Sequence, residues 1–288
     1  MKKSKTKLLK ITIMKTKILA LGFIAIFIMV SCSKDDKQSS SSISSSDIVD
    51  NAKIDNIGDD VAQIVDSQSN EAPAGRYNSL ASDCLQVETT YNGNTWTRTL
   101  NYGTTNCLLD NGNYVRGKII ITFQNDFDAA TRTLNFSFEN FYHNDRHIEG
   151  NRTVVKTRLP NGHIKADIDL NLTITNPDLR VFTRTGNRIR EYNPEANEFT
   201  VTGSWVTTNV STGATHTNTI SDSSPLRIVY SCQQEPNQHR YEIVSGIITI
   251  IKSNNNRTAV IDYGDGTCDN TGTITINGGS PITFNLRN

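Results

Sequence analysis

Two short stretches of this 288-residue chain carry residue types that could hold a cation. His143 and His147 stand four apart with Asp145 between them, the spacing of two metal ligands on one face of a helix. Asn144-Asp145, however, is a turn pair flanked by strand-like residues, which puts the two imidazoles on opposite arms of a hairpin. Solvated turn histidines are the expectation, and no metal ligand is assigned. Asp262-Tyr263-Gly264-Asp265-Gly266-Thr267-Cys268-Asp269 concentrates carboxylates and glycines, as a hard cation such as Ca²⁺ favours. It lacks the spacing and terminal Glu of a helix–loop–helix calcium loop, and Asp side chains bonding local amides account for it more cheaply. Trp96 and Trp205 could each stack on a sugar ring if exposed. Both fall in predicted strands, where packing is the ordinary use.

No catalytic constellation emerges. The chain has no GxSxG elbow, HExxH, phosphate-binding P-loop or dinucleotide glycine fingerprint. A carboxylate pair could run glycoside hydrolysis, but nothing among 29 acidic residues selects one. No catalytic residue and no cofactor is assigned, and the expectation is that the protein is not an enzyme.

Cys32 stands apart from the other four cysteines. Ahead of it, seven lysines without an acidic residue precede an apolar stretch of 13 residues, Ile18 to Val30. Crossing a bilayer takes about 20 apolar residues, so this stretch fits the core of a signal peptide. Met14-Lys15-Thr16-Lys17 would itself be a compact signal start, which places the expected initiator at Met14 rather than Met1. Met29-Val30-Ser31-Cys32 resembles the processing site of bacterial lipoproteins, with Met where Leu is preferred. The resemblance implies diacylglycerol on the Cys32 thiol and an acylated (palmitate-type) amine. At ~0.8 kcal/mol per buried methylene, several such chains anchor a protein almost permanently. Ser33, Lys34, Asp35 and Asp36 resemble the Lys-then-acidic export tag of Bacteroidota lipoproteins. With the serine tether that follows and the Asp262 to Asn270 stretch on a β-rich background, the chain resembles the uncharacterised surface lipoproteins of that group. This implies an outer-membrane, lipid-anchored address at the cell surface. The group has no agreed chemistry, so no functional residue is carried over.

In an oxidising compartment, Cys84, Cys107, Cys232 and Cys268 can pair in three ways. Cys84–Cys107 and Cys232–Cys268 are expected, because Tyr102-Gly103, three residues, then Cys107 echoes Tyr263-Gly264, three residues, then Cys268. Each bridge would contribute roughly 3–4 kcal/mol in the chain-entropy view. Removing the 7 Lys of residues 1–31 from a total of 29 basic residues leaves 22 against 29 acidic, a balance of −7. That argues against a nucleic-acid partner, which needs a basic footprint.

The organisation follows. Residues 1–31 read as signal peptide and 32–46 as lipidated cysteine and serine-rich tether. Residues 47–75 read as a short helix and linker, and 76–288 as an antiparallel β domain. Ile54, Ile57, Val61, Ile64 and Val65 recur at helical spacing after a capping Ser46 or Asp47, and packing on the domain edge is expected. Beyond residue 84, strands alternate with turns at Asn111-Gly112, Asn144-Asp145, Pro160-Asn161-Gly162, Asn193-Pro194 and Asn277-Gly278-Gly279. Gly117, Gly150, Gly203 and Gly246 repeat the pattern aliphatic, polar, glycine inside strands, as bulges or bends do. The fold class is all-β: a long curved antiparallel meander, sandwich or open half-barrel, with a short N-terminal helix. The functional expectation is an outer-membrane-anchored, surface-exposed binding or structural module whose partners are the membrane and a glycan or surface protein. A carrier of apolar ligands would instead leave an Ile/Val/Phe-lined concave face uncovered. An accessory polysaccharide hydrolase would present two facing carboxylates in a groove.

Overall fold

Tyr114–Gln124 alternates strictly, with Val115, Gly117, Ile119, Ile121 and Phe123 buried and the residues between them turned outward. Period-two side chains put all five on one face, and the same logic repeats in strand after strand. The computed structural model describes residues 45–69, 83–124, 126, 128–235, 238–253 and 257–286. Fifteen strands form one sheet: β1 (Gln86–Asn92), β2 (Thr95–Asn101), β3 (Cys107–Leu108), β4 (Tyr114–Gln124), β5 (Thr131–His143), β6 (Arg146–Arg158), β7 (Ile164–Thr175), β8 (Val181–Asn193), β9 (Glu198–Asn209), β10 (Ala214–Ile220), β11 (Leu226–Glu235), β12 (Gln238–Lys252), β13 (Thr258–Asp265), β14 (Thr271–Ile276) and β15 (Ile282–Asn285). Neighbours are antiparallel and nearly all sequential. Strands β10 and β11 lie end to end between β9 and β12, interrupted by residues 221–225. This is one continuous sheet, so the meander is as expected and the two-sheet sandwich does not form.

The one described helix, α1 (Ser45–Ser69), is 25 residues long. It belongs to the same compact unit as the strands, Ser40–Asn288. Packing on the domain edge was the expectation, and the structure corrects it: α1 runs through the interior. Ile48, Ile54, Ile57, Val61, Ile64 and Val65 are buried, but so are Asp50, Asn51, Asp55, Asp59, Asp60 and Gln63 around the rest of the circumference. A helix buried on every side must be enclosed. Its contacts come from β2, β4, β5, β6, β8, β9 and β10, and Asn56 donates to the Leu286 carbonyl just past β15 (3.4 Å). Leu286, just past β15, and Asn113, just before β4, line the same small cleft, so the β15 edge of the sheet comes round towards β4 beside α1.

The in-strand glycines supply the bending. All four expected positions have positive φ. At Gly117 (φ 89°) an added Cβ would sit 2.0 Å from the Asn140 carbonyl oxygen on β5, and the β4–β5 register shifts beside it. Only a residue without Cβ permits that approach. The disulfide pairs also form as expected, with Cα separations of 6.1 Å for Cys84–Cys107 and 5.4 Å for Cys232–Cys268.

Candidate functional site: a guanidinium cradle around α1

Strand β8 reads Val181-Phe182-Thr183-Arg184-Thr185-Gly186-Asn187-Arg188-Ile189-Arg190, and its even positions face inward. The inward row therefore carries three arginines, all at most 5% exposed. Between them, Gly186 (φ 145°) stands opposite Trp205 of β9, where a Cβ would come within 2.5 Å of the Trp205 Cα. The Trp205 ring is buried, with the Arg188 guanidinium 4.0 Å from its centroid and Arg184 at 5.3 Å. Arg190 lies 3.6 Å over the Phe199 ring. Desolvated contacts of this kind are worth ~2 kcal/mol.

Helix α1 supplies the counter-charges. Asp55, wholly buried, accepts hydrogen bonds from both Arg184 and Arg188, and Arg184 also donates to the Asn51 side chain. One turn on, Asp59 lies 3.9 Å from Arg188. Burial pushes the Asp59 carboxyl above the usual carboxylate range, against the opposing pull of Arg188 and Arg190. Asp60 meets His143 Nε2 at 2.9 Å and accepts from Asn113. Asp50 pairs with Arg180 at 2.6 Å, and Asp66 with Lys156 at 2.7 Å. Burial, together with Arg188 and Arg184, pulls the Arg152 guanidinium below its ordinary range. The interior is thus a set of carboxylates on one element facing guanidiniums on the surrounding ones, rather than carboxylates facing one another. The concave face that an apolar-ligand carrier would leave uncovered is covered by α1.

Several residues singled out from the sequence fall elsewhere. His143 is buried and not solvated, a correction to the expectation for it. In the β5–β6 hairpin His143 pairs with Arg146 and Tyr142 with His147, so the two histidines point to opposite faces and cannot share a metal. His147 instead stacks on Tyr142, ring centroids 4.6 Å apart. The turn between them has φ of 46° at Asn144 and 60° at Asp145, as a two-residue hairpin demands. In Asp262–Asp269, the end of β13 and the loop after it, each carboxylate turns to a local amide: Asp262 accepts from Gly264 N (2.9 Å), Asp265 from Thr267 N (3.2 Å) and Asp269 from Thr271 N (2.9 Å). Among the described residues no group of three or more His, Cys, Asp or Glu is placed to hold a metal ion. Trp96 is half-buried, edge-on to Tyr91 at 4.9 Å. Cys32 and the tag Ser33, Lys34, Asp35 and Asp36 lie outside the described residues.

The outer face has a pattern of its own. Strand registers align Thr97, Thr122, Asn135, Thr153, Asp169 and Asn187 in one row. The row continues through Ser204, Thr219 and Thr249. All nine are exposed or half-exposed, and they hydrogen-bond along the row where they can, as Thr153 does to Asn135 (2.8 Å). This belt of hydroxyl, amide and carboxyl groups crosses nine strands. Single-strand alternation could not reveal it, because it depends on register across the sheet.

Comparison with known protein families, with curated proteins and with solved structures gives no match for this chain.

Proposed function

We propose that the protein is a lipid-anchored module of the outer membrane, displayed at the cell surface, that binds or organises glycan rather than transforming it. The observation that carries this reading is the division of the sheet. Its concave face is filled by α1, and its convex face presents the Thr/Asn/Ser belt. Sugars offer hydroxyl donors and acceptors at short spacing, and a rigid array of Thr and Asn groups matches them without needing a deep pocket. The anchor reading rests on Cys32 and the residues after it. The absence of nucleic-acid partners follows from the acidic balance of the mature chain.

Two measurements test the reading. Mass spectrometry of the membrane fraction is expected to find Cys32 acylated at a new N-terminus, and protease added to intact cells is expected to remove the domain. On a glycan array, the mature chain is expected to bind, and Asn187→Ala with Thr219→Ala to abolish binding while leaving the melting temperature unchanged. Turnover of an arrayed polysaccharide, or binding indifferent to the belt, would replace the proposal with the hydrolase or with a protein-binding surface.

A further inference from the structure

We propose that a monatomic anion of the halide class binds inside the sheet between Arg152 and Arg190, beneath the last turns of α1. A cavity of about 20 Å³ lies there, bounded by Phe136, Arg152, Ala166 and Arg190 on the sheet and by Val65 and Asp66 on the helix. That is room for one water-sized species. Ala166 stands in register between Lys156 and Arg190, and its small side chain leaves the space.

The surrounding groups are donors in search of an acceptor. Arg152 is 6% exposed and makes one hydrogen bond, to the Gly58 carbonyl at 3.4 Å. Its guanidinium also lies 5.9 Å from the face of Phe136, and its Nε has no partner. Arg190 is 3% exposed, and its Nε and Nη2 have none. The carboxylate at hand is Asp66, which Lys156 holds at 2.7 Å and which reaches Arg190 Nη1 only at 3.5 Å. Five cations, Arg152, Lys156, Arg184, Arg188 and Arg190, thus face three carboxylates, Asp55, Asp59 and Asp66, in one largely buried cluster. Buried charges are tolerated when paired. Guanidiniums only donate, so the missing partner must accept, which excludes a metal cation. A neutral water would fill the volume without balancing the charge, and a phosphate or carboxylate ligand is too large for it.

The test uses the mature chain at fixed ionic strength, with sodium bromide replacing sodium gluconate. The melting temperature is expected to climb with the logarithm of bromide concentration, by roughly 2–4 °C at ~5 times the dissociation constant. In crystals grown in bromide, an anomalous peak is expected within hydrogen-bond distance of Arg152 Nε and the Arg190 guanidinium. Arg152→Met is expected to abolish the bromide dependence. Should that variant not fold, the anomalous peak in the wild-type crystal decides. A melting temperature indifferent to bromide, an Arg152→Met protein that keeps the full dependence, or a crystal with no peak in this cavity would overturn the proposal.

Discussion

Both α1 and the segment Asp262–Asp269, the end of β13 with the loop after it, are rich in aspartate, yet their carboxylates go to different partners. In that segment, Asp262, Asp265 and Asp269 each accept from a backbone amide two residues on. In α1, Asp55, Asp60 and Asp66 reach Arg184 and Arg188, His143, and Lys156 on strands far away in sequence. The element decides. Past its first turn a helix spends every amide on its own carbonyls, so an Asp side chain there must look outward for a donor. The end of β13, where its pairing with β12 slips register, and the loop after it leave amides free at short range. The same residue type therefore closes a turn in one region and fastens two distant elements in the other. Only the second use exposes the protein to large losses when it is disturbed.

The contrast can be broken most directly at Asp55. Asp55→Ala leaves Arg184 and Arg188 buried without their shared carboxylate and is expected to cost about 3–5 kcal/mol, read as a lowered urea midpoint. Next in size, Cys232→Ser with Cys268→Ser releases the bridge that pins the loop to β11 and is expected to cost roughly 2–4 kcal/mol under non-reducing conditions. Asp59→Asn sharpens the comparison from within α1. The Asp59 carboxyl titrates above its unfolded value, so its contribution favours the fold at low pH and is lost as pH rises through the folded value. The amide is expected to raise the urea midpoint slightly at pH 7 and to flatten the change in stability just above the unfolded carboxylate pKa of ~3.9. A fall in stability at pH 7 would mean that the pull of Arg188 and Arg190 outweighs burial. The smallest effect belongs to Asp265→Asn. Its carboxylate is held below the usual range by the Thr267 side chain and amide, but it is fully exposed. An unchanged midpoint is expected, and a large loss there would refute the division between the two regions.

The sequence reading went furthest where apolar alternation was clean. The turns expected at Asn144-Asp145, Pro160-Asn161-Gly162 and Asn277-Gly278 separate β5 from β6, β6 from β7 and β14 from β15, where the residues required them. It failed at β8, whose buried positions include Arg184, Arg188 and Arg190 and so show no hydrophobic period. The same failure hid the place of α1. Its Ile and Val positions gave a helix, but nothing in its aspartates marks them as buried. A buried ion-pair interface is invisible to hydropathy, since each half reads as surface until the other half is known.

Local chemistry within a few residues settled the antiparallel meander, the positive-φ glycines and the hairpin at Asn144-Asp145, because those depend on steric limits that a short segment carries with it. The pairing of Cys84 with Cys107 and of Cys232 with Cys268 was also within reach, from the repeated spacing around Tyr102 and Tyr263. The wrapping of the sheet about α1, the meeting of Asp55 with Arg184 and Arg188, and the alignment of the outer belt were decided only in three dimensions. Each requires groups more than a hundred residues apart, or registers summed over many strands, to be brought together by burial.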